Sequence, residues 1–224
     1  MTDIWKVFFM VFLIASAVFG TVKLFKKKEP LYFKMIVSAG WCIVAQILYQ
    51  YCLYAFVDPE AAVSEYLLTG LGDNAFAAFI FAANYGPMNT LLDHDTKNNK
   101  KIRLLSLTAP AVFIGLSAFF CYLCCHAGVG FWGVLLILII TVGFMPVCVY
   151  YNLKCLLIPD DGFFVKGIRP LNLCSLLLCF SVLFEMFGTP LENPVISDVG
   201  FCCEMFFGGA TVLAAVWGRK KWRS

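Results

Sequence analysis

Three carboxylic acids, Asp73, Glu185 and Glu204, stand inside apolar stretches long enough to cross a membrane. An ionisable group at membrane depth is costly, so each marks a functional site by default. Several together point to proton transfer, to acid–base catalysis or to the binding of a cation. Gln50 belongs at a similar depth. Spacing extends the set: Asp73 and Asn84 are 11 positions apart, about 20° past three full helical turns, so one helix face carries both. Gln46 and Gln50 share a face, as Ser181 and Glu185 do. Polar groups turned to lipid are expensive, so these residues read as an interior seam. For the glutamines and Asn84 the plainer account is interhelical hydrogen bonding, at about 1 kcal/mol or less per bond. The acids are the better candidates for a pocket reached from outside, with Asp73 and Glu204 at its centre and Glu185, Gln50 and Asn84 around it.

Other reactive residues lead to less. Cys121, Cys124, Cys125 and His126 have the types of a metal site, and the three sulfurs fall on one helical face. Haem attachment needs C-x-x-C-H, and here a third cysteine intervenes. Zinc normally takes four ligands, and the other histidine, His94, belongs on the opposite side of the membrane. No metal and no cofactor is expected, and the cysteines read as small buried hydrophobes. Cys155, at a cytoplasmic helix end, is expected as a reduced thiol. There is no nucleophile elbow, no paired-histidine zinc motif and no phosphate-binding loop. The last apolar stretch has no lysine before Lys220 to hold retinal.

These residues must be positioned by membrane-spanning helices. Of 224 residues, 61% are hydrophobic and 14% charged, whereas a soluble domain is about a quarter charged. Seven apolar stretches are long enough, or nearly so, to span about 30 Å of hydrocarbon; they run over residues 4–25, 31–56, 66–91, 104–125, 128–153, 171–189 and 197–217. The first carries an Ala15-Ser16-Ala17 triplet that mimics a signal cleavage site. Its positive charges follow the apolar run rather than precede it, which predicts an uncleaved helix. Of the 17 lysines and arginines, all but Lys6 fall on one side of the seven-span arrangement. The opposite side carries Asp58, Glu60, Glu65, Glu192 and Asp198. Positive charge marks the cytoplasmic face, which puts the N-terminus outside and the C-terminus inside. The expected fold is all-α, one transmembrane domain over residues 1–224, in the plasma membrane. The basic residues are spread along the cytoplasmic rim, which suits anionic lipid headgroups and not nucleic acid. Lys34, at the inner end of the second span, has the position of a lysine whose ammonium snorkels to the headgroups. Gly70, Gly72, Gly208 and Gly209 flank the Asp73 and Glu204 segments, where small residues permit close helix approach.

The order of helices and charges resembles the lysoplasmalogenase family. The likeness rests on the basic stretch leading into Lys34, on the Gly72-Asp73 pair of the third span and on Glu204 in the seventh. That family has a lysine near the start of helix two, a Gly-Asp in helix three and a late Ser-Asp, where this chain has Cys203-Glu204. The resemblance implies hydrolysis of the vinyl ether bond of a lysoplasmalogen within the bilayer. Asp73 and Glu204 would serve as acid and base, with Lys34, Gln50, Asn84 and Glu185 near the substrate. A second class fits the same residues: a non-enzymatic seven-helix transporter or sensor that takes a cation or small amphiphile from outside. Membrane lipids are the expected partners in either case.

The charge segregation makes a direct prediction. Reporter fusions or cysteine labelling should find the Asp93–Arg103 and Lys154–Pro170 connections and the C-terminus in the cytoplasm, and the Asp58–Glu65 connection outside. A C-terminal tail reached by an impermeant reagent from outside would overturn this orientation.

Overall fold

Backbone amides surrounded by hydrocarbon must be paired within their own segment, and the chain meets this with helices. The computed structural model describes residues 3–25, 29–56, 62–92, 96–126, 135, 143–158, 163–188 and 194–218. Among these there is no strand. The helices are α1 (Asp3–Phe25), α2 (Leu31–Phe56), α3 (Ala62–Leu92), α4 (Thr96–Ser106), α5 (Thr108–His126), α6 (Met145–Leu157), α7 (Phe163–Gly188) and α8 (Pro194–Gly218). Five described stretches are long and apolar enough to cross a membrane: Ile4–Phe25, Leu31–Gln50, Lys100–His126, Gly167–Glu185 and Val195–Gly218. The protein is a polytopic helical membrane protein.

The expected spans fall on these helices with informative differences. The span expected at 104–125 is α5, and the connection before it holds a separate helix, α4. The two are joined at Leu107, whose N–H donates to the Leu104 carbonyl at 3.2 Å, while the Thr108 hydroxyl donates to the Leu105 carbonyl at 2.7 Å. Helix α7 begins at Phe163, well before the expected 171, and continues through Pro170. Of the span expected at 128–153, the part before Gly143 lies outside the described residues apart from Leu135. Asp58, Glu60, His94, Glu192 and the basic tail lie outside them as well.

Helix α2 packs on α3, α3 on α6, α6 on α7, α7 on α8, and α8 back on α2, so five helices close a ring. Helix α1 lies against the outside of α8 and α2, and α5 against α6 and α7. The ring interior is apolar where it is not part of the site, with Phe33, Ile43, Phe76, Ile80 and Met145 fully buried. The outward faces are apolar too: Phe8, Val11 and Phe19 on α1, and Val112 and Phe119 on α5, are exposed. An apolar surface this extensive suits lipid and not water. At one end of the bundle, Lys6 of α1 and Asp198 of α8 form an ion pair at 2.6 Å. This is the end assigned to the outside by charge, and its single lysine has an acidic partner.

Two of the glycines at close helix contacts lie beside the acids. A side chain at Gly200 of α8 would run into the Glu185 backbone of α7, and one at Gly72 of α3 would meet the Gln46 side-chain oxygen of α2. Gly208 and Gly209 instead face Leu13 and Phe12 of α1. Overpacking against a backbone costs about 1–3 kcal/mol, so Gly200→Ala should lower thermal stability in detergent by that amount. Gly115 of α5 has open space around it, and Gly115→Ala should be neutral or stabilising, by up to about 1 kcal/mol of helix propensity. Equal effects from the two substitutions would argue against the α7–α8 contact.

Candidate functional site

The apolar spans leave few polar side chains for the ring interior, and those few gather at two levels. The first level is the carboxyl cluster. Asp73 of α3 and Glu204 of α8 are fully buried, and Glu185 of α7 with Gln46 and Gln50 of α2 are nearly so. Gln46 Nε2 donates to Glu204 Oε1 at 3.2 Å. Glu185 faces Glu204, and both lie within electrostatic range of Asp73. The Gln46 side chain also faces Asp73. Its amide N–H is directed at Glu204, however, and neither Asp73 oxygen has a donor at hydrogen-bonding distance. Gln46 Oε1 and Glu204 Oε2 have none either. The cluster is therefore rich in acceptors and poor in donors, with three like-charged groups held close in a low-dielectric interior. Such an arrangement needs positive charge, either as protons on the carboxyls or as a bound cation.

The close packing has local causes. Gly72, one residue before Asp73, lets the Gln46 amide lie directly on α3, and Gly200, one turn before Glu204, lets α8 press against α7 at Glu185. The glycines thus bring the carboxyl-bearing segments into range of one another.

The second level lies deeper along α3. Asn84 is about 16 Å further along the helix than Asp73, from the helical rise. Its Nδ2 donates to Asn172 Oδ1 of α7 at 2.7 Å and to Asn152 Oδ1 of α6 at 3.1 Å. Asn152 Nδ2 donates in turn to Ser175 Oγ at 2.9 Å and approaches Cys148 Sγ at 3.4 Å. Asn172 also donates to the Ile168 carbonyl at 3.0 Å. All of these side chains are fully buried.

The structure thus brings Asp73, Glu185 and Glu204 together and adds Gln46, with Gln50 one turn further along α2. Asn84 shares a helix face with Asp73 but belongs to a different group of partners. Lys34 is exposed, about 18 Å along α2 from Gln46 by helical rise, as suits an ammonium in the headgroup region. Asn152, Asn172, Ser175 and Cys148 were not singled out by sequence. Their signal was the Asn172–Ser175–Cys179 stripe on one face of the sixth span and the Cys148–Asn152 pair one helical turn apart. All eleven cysteines are free. Cys124 is buried and Cys125 exposed, so the sulfurs expected on one face divide between interior and exterior. The His126 ring lies against Tyr122, with centroids 4.3 Å apart. Among the described residues, no three histidine, cysteine or acidic side chains are placed to hold a metal ion.

No protein-family model, curated protein or solved structure shows a significant match to the chain.

Removing the donor of a buried acceptor costs about 1–3 kcal/mol. Gln46→Leu should therefore destabilise the protein by that amount in thermal unfolding. The effect should be coupled to Glu204→Gln by more than about 0.5 kcal/mol in a double-mutant cycle, as for residues in contact. Strict additivity would mean that the two side chains do not interact.

Proposed function

We propose that this membrane protein binds and exchanges a proton or small monovalent cation at Asp73, Glu185 and Glu204, as an ion-handling carrier or sensor. The observation that carries this reading is the surplus of acceptors. Three carboxyls and an amide oxygen share a buried site, and four of their oxygens, both of Asp73, Gln46 Oε1 and Glu204 Oε2, have no donor. Protons or a cation supply the missing partner, and the occupant is exchangeable because, among the described residues, no donor is bonded to those four oxygens. By the charge-based orientation the cluster lies in the outer half, so the occupant enters from outside.

A second reading is favoured by one further observation, the convergence of Asp73 and Glu204 on the same Gln46 side chain. Two carboxyls held this way can act as acid and base. On a vinyl ether, one would protonate the enol ether carbon and the other would direct water to the resulting cation. The hemiacetal formed would then collapse to an aldehyde and the freed glycerol hydroxyl. This is the lysoplasmalogenase-like activity implied by Gly72-Asp73 and Glu204.

Dicyclohexylcarbodiimide, which reacts with protonated carboxyls in apolar sites, separates these readings when used with a lysoplasmalogen assay on the same purified protein. The ion-handling reading expects an adduct on Asp73, Glu185 or Glu204, slowed severalfold by sodium or by raised pH. It also expects loss of that adduct in the Asp73→Asn, Glu185→Gln, Glu204→Gln triple variant, and no aldehyde release. Aldehyde release by the wild type that disappears in Asp73→Asn and in Glu204→Gln would transfer the site to hydrolysis. The absence of both adduct and aldehyde would defeat both readings.

A further inference from the structure

We infer that the second polar level is the inner half of a transmembrane route, a file of side chains along which the ion held at the carboxyl cluster reaches the cytoplasmic end of the bundle. This rests on the ion-handling reading of the cluster. The file runs Asp73, Cys179, Cys148 and Ser175, then Asn152, Asn84 and Asn172. Its members are supplied by α3, α6 and α7 and are all fully buried.

Its links are short. Cys179 Sγ lies 3.8 Å from Cys148 Sγ, and Cys148 Sγ lies 3.9 Å from Ser175 Oγ. The Ser175 hydroxyl accepts from Asn152 at 2.9 Å, and Asn152 joins Asn84 and, through it, Asn172. At the other end, Cys179 is within electrostatic range of Asp73 but makes no hydrogen bond to it, so the ion itself bridges this step. On α7 alone, Asn172, Ser175, Cys179 and Glu185 cover about 20 Å of helix axis, some two-thirds of a hydrocarbon core of about 30 Å.

Structural glue is the ordinary explanation for buried asparagines between membrane helices. Two features go beyond it. Glue is satisfied by local pairs, whereas here Cys179, Cys148, Ser175, Asn152, Asn84 and Asn172 follow one another in a single series. Glue also saturates its own groups, whereas Asn84 Oδ1 in the asparagine level and both Asp73 oxygens in the cluster have no donor. A buried acceptor without a donor is costly, and at both levels the missing partner is of the kind that a proton, a hydrated proton or a small cation supplies. The ring formed by α2, α3, α6, α7 and α8 screens this line from lipid.

The test is flux through the full chain in sealed proteoliposomes. It is driven by a potassium diffusion potential and read by an internal pH dye in one arm and an internal sodium dye in the other, so that the arms identify the ion. The variants are Asp73→Asn at the cluster, Asn152→Leu and Ser175→Ala in the file, and Ser117→Ala as a control. Ser117 lies on α5, outside the ring, with its hydroxyl bonded to the Phe113 carbonyl. The expected result is wild-type flux in one arm, abolished by Asp73→Asn, reduced at least tenfold by Asn152→Leu and severalfold by Ser175→Ala, and unchanged by Ser117→Ala. Carbodiimide labelling of the cluster should be preserved in both file variants, which shows that they fold and still load the ion. If Asn152→Leu does not fold, Ser175→Ala decides. Flux abolished by Asp73→Asn but untouched by either file variant would overturn the route and leave the ion-handling reading standing. No wild-type flux in either arm, with carbodiimide labelling present, would overturn the route while leaving ion binding at the cluster. Absence of both flux and labelling would overturn both.

Discussion

A carboxyl group that enters a bilayer must find its partners inside the protein, because lipid offers none. In this chain that requirement joins four of the five ring helices, α2, α3, α7 and α8. Asp73, Glu185 and Glu204 come from three different helices, and each is made tolerable by what the others bring. Gln46 crosses from α2 to donate to Glu204, and the near-absent side chains of Gly72 and Gly200 let the helices come close enough for the acids to face one another.

Much of this was visible in the sequence because cost is visible in the sequence. An acid within twenty apolar residues stands out whatever its neighbours are, and so Asp73, Glu185 and Glu204 could be picked without knowing which helices touch. The spacing of Gln46 and Gln50 gave the face of α2 that turns inward. Helical periodicity, however, fixes direction and not depth of partnership. Asn84 does share the face of Asp73, yet it lies some three turns further on and meets Asn152 and Asn172 instead. Those two asparagines, Ser175 and Cys148 are modestly polar, and their spacing within α6 and α7 does not say which helices meet. Only the packing of α6 against α3 and α7 turns them into a group. The short helix α4 was hidden for a related reason: its lysines and arginine look like a loop until it is seen that Ile102 is buried while Lys100, Lys101 and Arg103 are exposed.

The two polar levels differ in chemistry. The cluster is anionic or protonated and short of donors, whereas the asparagine level is neutral and nearly self-satisfied, with Asn84 and Asn152 each donating to two acceptors. A site that holds an ion and a passage that lets it move need these opposite properties, because strong binding along the whole length would trap the ion. The apolar side chains between the levels, Phe76, Ala77 and Ile80 on α3, leave the thiols of Cys148 and Cys179 as the soft, weakly polar link between them.

The ion pair between Lys6 and Asp198 bears on the order in which the molecule is assembled. Helix α1 is made before the six helices α2 to α7 and α8 after them, yet α1 packs chiefly on α8. Helix α1 therefore waits in the membrane with its main apolar face against lipid and Lys6 without this acidic partner until α8 has been made. Closure of the α1–α8 seam is for that reason a late event relative to the helices between them. A nascent chain interrupted before α8 lacks both the partner that holds α1 in place and the Glu204 that completes the carboxyl cluster, so the seam and the cluster are completed by the same helix.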